Sequence, residues 1–362
     1  MPGGHPTHRR ASHEPTGSLG RLEQRRDHGS CRKSRSDRRP TTLTIVIVLD
    51  LPPWALRGFA FVFGAMWGSF FNVAIYRWPR DMSVVTPKSH CPACGKPVRA
   101  HHNIPLLGYL FLRGRAACCG ARLHPRYLVV ELLAAVLCLA LVEKFVVRAA
   151  PTASLLEVSI EALIYFAFGG GLIVATFTDI DGWEIPDEVT LPGTALGLLT
   201  VSWRALPGAE SAAIGAGSAY LFVQGLLGWV WQRLTGRAGM GEGDALLLMM
   251  IGAFIGWRGA AFTLLAASLQ GTLFALLSGL VFVLTGKQLL GQPGERDLSV
   301  LEDDESDPGF NDDERRARSS EPPPRYWGHL KAKFGPFLAL SALQYLFFGD
   351  AIIDWAANLF HL

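Results

Sequence analysis

The chain has 362 residues with 34 Lys and Arg against 31 Asp and Glu, a formal charge of only +3. Apolar residues make up 49% and charged residues 18%, with mean hydropathy +0.24. This balance argues against a pair of ordinary soluble domains and for an all-α integral membrane protein built from helices of about 20 apolar residues.

In chain order, residues 1–45 come first as a basic tail, with 10 Lys and Arg against 4 Asp and Glu in the first 40. It holds almost no large apolar residues, so it reads as a disordered segment or a misassigned start. It also lacks the apolar core of a signal peptide. No nucleic-acid partner is expected, since a solvated tail explains the charge more simply. The first membrane helix is predicted over 54–77, followed by a loop domain at 78–126. The membrane core at 127–290 is predicted to contain helices at 127–147, 158–178, 188–204 (interrupted by Pro192), 211–232, and 244–257 running on towards 258–284. An acidic loop follows at 291–325; over 287–333 there are 11 Asp and Glu against 8 Lys and Arg. A last helix is predicted within 334–362, which brings the count to about eight spans.

Orientation is read from the loop at 77–126, with 9 Lys and Arg and a single acid, Asp81. The positive-inside bias makes it cytoplasmic. Counting spans from it puts Asp179, Asp244 and the acidic loop on the same side. The basic tail then falls on the other side, which conflicts with the same rule and adds to the suspicion about residues 1–45.

The loop domain carries four of the six cysteines: Cys91 and Cys94 as C-x-x-C, then Cys118 and Cys119 as neighbours. Two cysteine pairs about two dozen residues apart have the spacing of a zinc ribbon, in which two turns offer thiolates to one tetrahedral ion. Adjacent cysteines rarely both reach one metal, so one of Cys118 and Cys119 is expected to be idle, with His90, His101, His102 or His124 completing a structural zinc site. Free thiols or a disulfide remain alternatives, the latter disfavoured in a reducing compartment. Cys31 and Cys138, in the tail and in an apolar helix, need no function.

Two carboxylates stand at the ends of apolar runs. Asp179 closes the helix before "DIDGWEIPDEV", and Asp244 follows Gly241-Glu242-Gly243 at the start of the next long run. Ionisable groups at such depth are expensive and mark function. The two helices between them form a there-and-back hairpin that can return the chain to one face. Two carboxylates sharing a site cannot both ionise cheaply, so one keeps a proton and the other serves as a base. Such a dyad can activate water against a peptide carbonyl. Gly239, Gly241 and Gly243 would let a substrate backbone approach. Asp181 and Asp187 read as loop or capping residues. Helix capping by each Asp is the bland alternative.

From about residue 58 to 345 the sequence resembles the bacterial type IV prepilin peptidases, membrane aspartyl proteases. The motifs are "GSFFNVAIYRWP" (68–79), "CPAC", "NIPLLGYLFLRGR" (103–115), "RYLVVE" (126–131), "TDIDGWEIPDEVTLP" (178–192), "GMGEGDALLL" (239–248) and "FGPFLAL" (334–340). The resemblance implies a catalytic pair at Asp179 and Asp244, in the bacterial inner membrane with the active site facing the cytoplasm. It implies removal of a short basic leader from prepilin and pseudopilin precursors and, as in many bacterial members, N-methylation of the new N-terminus from S-adenosylmethionine. No nucleotide-binding motif places a methyl-donor site. The second C-x-x-C departs from the pattern: its first position is Ala116, with Cys119 in register and Cys118 a substitute or a bystander. Other classes share some features. A transporter using Asp179 and Asp244 as a proton or ion relay would tolerate Glu there, and a structural subunit would tolerate Asn. An intramembrane protease of the G-x-G-D type would carry Pro-Ala-Leu where this chain has "FGPFLAL".

Overall fold

The computed structural model describes residues 52–86, 89–91, 93–99, 102–150, 153–182, 184–205, 207–236, 241–285 and 333–360. The expectations for the tail at 1–45, the acidic loop at 291–325, Gly239 and His101 lie outside these residues.

Each of the eight apolar segments read from the sequence is helical at its core. Helix α1 (Pro53–Arg77) begins on Pro53, where the missing N–H is no loss. A short α2 (Leu107–Phe111) sits in the cysteine loop. Helix α3 (Arg126–Val142) runs on through a π-turn at Glu143–Val147. Then come α4 (Leu155–Gly182) and α5 (Asp187–Leu199). Helix α6 (Ala209–Tyr220) continues through a π-helical stretch, Leu221–Val230, into α7 (Trp231–Thr235). Helix α8 (Glu242–Thr285) and α9 (Gly335–Phe360) complete the set. Among the described residues the only extended pairings are two isolated antiparallel bridges, His90 with Pro97 and Arg115 with Arg122.

Five helical stretches are long and apolar enough to cross a membrane: Pro53–Arg80, Leu155–Gly182, Ala209–Leu234, Glu242–Thr285 and Gly335–Asp354. That is fewer than the eight spans expected, for three reasons, the first being that α3 has only 17 regular residues before its π-turn. Helix α5 stops at Leu199 after 13 residues, short of the expected 204. The runs at 244–257 and 258–284 are two limbs joined at Gly256, whose φ of 72° a side chain would resist, and are counted together as one stretch.

At Gly256 the chain doubles back. Phe168 in α4 stacks on Phe254 with ring centroids 4.4 Å apart, so the first limb of α8 rises along α4. Further on, Phe274 meets Phe337 and Phe262 meets Tyr345, so the second limb descends along α9 towards its first turn. The break frees carbonyls at the top of the first limb, and buried Arg204 takes them up. Its guanidinium donates to Phe254 O (2.6 Å), Ala253 O (3.1 Å) and, across to α5, Gly197 O.

Close backbone contact holds the core. A Cβ at Gly252 would lie 2.4 Å from the backbone of Gly215, and one at Gly215 would lie 2.7 Å from Gly252 O, so α6 and α8 cross with no room for side chains. Small residues are the usual means of tight helix packing where lipid removes the hydrophobic drive. Outward faces carry large apolar side chains, among them Phe59, Met66, Leu265, Leu269 and Leu276. Such faces suit lipid contact.

Candidate active site

Asp179 lies one turn from the end of α4 and is 6% exposed. Its neighbour Thr178 turns its hydroxyl back onto the helix, donating to Val174 O and Ala175 O, and so leaves Asp179 as the buried carboxylate at this end. Asp244 lies in the first turn of α8, half-buried. The two carboxylates, 65 residues apart in sequence, are brought within electrostatic reach of each other. The segment between α4 and α5 packs beside them, with Ile185 and Pro186 buried.

The glycines before Asp244 differ in role. Gly241 is exposed, and a Cβ there would come no closer than 3.7 Å to Asp244 Oδ2. Gly243 packs on Ile185, where a Cβ would sit 3.1 Å from the Ile185 Cβ; its small size serves helix-to-loop packing as well as access. Asp187 opens α5 but makes no side-chain cap; Pro186 holds the cap position. Asp181 pairs with Arg126 at the start of α3 and so ties the end of α4 to the exit of the cysteine loop.

Sequence reasoning missed the third party to this site. The lead-in to α9 closes over Asp179: the Gly335 N–H donates to Asp179 Oδ2 at 3.1 Å, and a Cβ on residue 335 would lie 2.7 Å from that oxygen. Lys333 donates its ammonium to Ile180 O and lies within Coulombic reach of Asp179. Burial lowers the lysine from its ordinary range, against the opposing pull of Asp179. The visible sign was the Gly-Pro of "FGPF", a helix start with one missing N–H.

The cysteine loop corrects an expectation. All four sulfurs of Cys91, Cys94, Cys118 and Cys119 lie within 4.8 Å of one another, so neither adjacent cysteine is idle and no histidine is needed to complete the set. Cys91 Sγ is 3.7 Å from Cys119 Sγ, and Cys94 Sγ is 3.3 Å from Cys118 Sγ. The two turns share one hydrogen-bond pattern. Gly95 N donates to Cys91 O and Gly120 N to Ala116 O, with Gly95 and Gly120 both at positive φ. Ala116 therefore occupies the place that Cys91 holds in the first turn, and Cys118, two residues on, supplies the missing sulfur. The Lys96 N–H and then Cys118 hold Cys94 down to about 7, while sharing a proton with Cys94 and Cys91 pushes Cys118 up to about 12. Four convergent sulfurs of this kind could hold a metal ion.

Between this loop and the near ends of α1 and α3 lies a cavity of about 640 Å³. Glu131, 9% exposed, accepts the Leu106 N–H at 2.7 Å in its wall. Asn72 donates to Tyr127 O at 3.0 Å, leaving its buried Oδ1 without a partner.

The fold and site define a polytopic, all-helical membrane protein with a carboxylate pair at one end of its bundle and a four-sulfur loop beside it. Residues 62–145 match the Bacterial Peptidase A24 N-terminal domain and residues 162–276 the Type IV leader peptidase family. The chain belongs to the type IV leader peptidase family. A prepilin leader peptidase/N-methyltransferase of Aeromonas hydrophila is 31% identical over 327 residues, covering 84% of this chain and 94% of that protein. Proteins of the same name from Klebsiella pneumoniae (38% identity, 60% of this chain, 92% of that protein) and Myxococcus xanthus strain DK1622 (35%, 60% and 62%) are also similar. No solved structure matches the chain.

Proposed function

We propose that this protein is a membrane aspartyl endopeptidase that removes the leader from prepilin and pseudopilin precursors, with Asp179 and Asp244 as its catalytic pair. The observation that carries the reading is the convergence of these two carboxylates at one end of the bundle. One carboxylate takes a proton from water as its oxygen attacks the scissile carbonyl, and the protonated partner stabilises the carbonyl oxygen. The pair stands in the inner membrane with the cysteine loop and the acidic loop on the cytoplasmic side, where a basic leader remains. The eight helical segments act as spans or part-spans around it. A transporter is the poorer reading, because relatives covering most of the chain carry a peptidase name.

The four sulfurs hold a structural zinc ion that closes the loop in place of an apolar core. The second activity uses the cavity against that loop. S-adenosylmethionine, when bound, supplies an electrophilic methyl group. The cavity fits it in size and in chemistry: Glu131 and the unpartnered Asn72 Oδ1 present acceptors to a cationic, amine-bearing ligand, and Lys96 and Arg99 at the wall suit its carboxylate.

The test is the intact mass and N-terminal sequence of a co-expressed prepilin. Loss of the leader with wild type, and not with Asp179→Asn or Asp244→Asn, is the expected result. Normal processing by either inserted variant would remove the dyad from the reaction. For the second activity, equilibrium dialysis with S-adenosylmethionine should show binding weakened about tenfold by Glu131→Gln. Unchanged binding would move the methyl donor elsewhere.

A further inference from the structure

Asp179 and Asp244 are held by different means. Asp179 sits at the carbonyl end of α4, a poor place for a carboxylate on its own helix. What surrounds it from outside reverses that. The N-terminus of the 26-residue α9 points at it through the Gly335 N–H, which occupies Oδ2 and leaves Oδ1 for water. Pro336 follows, so Gly335 offers the single N–H in this position. Lys333 is tied to Ile180 O, which fixes its ammonium next to Asp179. The other charged groups of the neighbourhood are engaged or exposed: Asp181 pairs with Arg126 of α3, Arg77 of α1 donates to Ser83 O, Glu131 of α3 accepts Leu106 N, and Glu184, Asp187, Glu188 and Glu242 are exposed.

We infer that the lead-in to α9 makes the dyad asymmetric: Asp179 is the carboxylate that receives the proton of water, Asp244 is the acid that serves the carbonyl oxygen, and Lys333 and the Gly335 amide are positioning groups that set this order. A cation and an N–H donor favour the charged form of the group they face. The inference rests on the peptidase reading above. In the forward step a water O–H breaks, its proton goes to Asp179 Oδ1, and its oxygen bonds to the carbonyl carbon, while the proton of Asp244 passes to the carbonyl oxygen. On collapse the C–N bond breaks, Asp179 returns its proton to the leaving nitrogen, and one hydroxyl of the diol returns its proton to Asp244. One water is consumed and the dyad is restored.

The test uses the full-length protein in nanodiscs with a prepilin precursor, measuring kcat and KM from pH 5 to 9 for wild type, Lys333→Met, Lys333→Gln and Lys333→Arg. Removing the cation should move the acid limb of the kcat profile to higher pH by about one unit and leave KM within about twofold. Lys333→Arg should restore the wild-type limb. Gly335→Ala, which drives a Cβ against Asp179 Oδ2, should lower kcat with the protein still inserted. If Lys333→Met and Lys333→Gln, inserted and monodisperse, keep the wild-type pH profile while both Asp→Asn variants are dead, the asymmetry is wrong and the peptidase reading stands. If the Asn variants process normally, the peptidase reading itself fails. A kcat plateau that rises without Lys333 would assign the base to Asp244 and overturn the inference, because the cation would then favour ionisation of the wrong carboxylate.

Discussion

The membrane bundle and the cysteine loop solve the same problem, holding side chains in place, by unlike means. In the bundle, backbone meets backbone at Gly215 and Gly252, aromatic rings stack between α4 and α8, and every helix that carries a site residue is anchored over many turns. In the loop one short α-helix, a 3-10 turn at Trp78–Arg80 and two bridges are present among the described residues, and four sulfurs converge where a core would be. Precision in the first comes from packing; in the second, under the zinc proposal, it would depend on deprotonated thiols. The dyad should therefore be robust to treatments that dismantle the loop.

The sharpest break is at the dyad. Asp244→Asn should lower leader cleavage by about a thousandfold or more, read from precursor accumulation, with membrane insertion unchanged. Nearly as large is the effect expected at the helix crossing: Gly252→Leu forces a side chain into the backbone of α6 and should destabilise the bundle by about 3 kcal/mol or more. Detergent-resistant folding and both activities should fall together. A loop variant should separate them. Cys118→Ala should reduce bound zinc, measured by elemental analysis, and weaken methylation before cleavage. Ala116→Cys in that background should restore zinc, because residue 116 stands where Cys91 does in the matching turn. Acid should act in the same direction as Cys118→Ala, since metal thiolates must be deprotonated and protons compete as pH falls. Smallest is Arg126→Ala, which breaks the pair with partly exposed Asp181 and should change stability by no more than about 1 kcal/mol. A large loss of methylation there would show that this link couples the two regions.

The helices were legible because apolar runs in a membrane protein have few other ways to satisfy their backbone. Their ends were less so: α5 stops at Leu199 and not at 204, and Gly256 turns one run into two limbs, neither of which hydropathy can register. That Asp179 and Asp244 meet at one end of the bundle was legible from the expense of a carboxylate beside an apolar run; their catalytic role is a proposal. The amide that holds Asp179 was not, because Gly335 lies 156 residues away and a backbone N–H has no sequence signature. The cysteine set shows the opposite failure. A rule about neighbouring residues predicted that Cys118 or Cys119 would stand idle, and the geometry of a turn carrying Ala116 in the other position overrode it.

The first limb of α8 is short. From Glu242 to Ile255 it has 14 residues, and α5 beside it has 13. At 1.5 Å per residue each spans about 20 Å, short of a hydrocarbon layer of about 30 Å. Two adjoining short helices leave a mismatch that lipid must meet by thinning, or water by entering. Both short helices begin at the carboxylate end, at Asp187 and Glu242, so that end of the bundle would lie at one edge of the thinned or wetted zone.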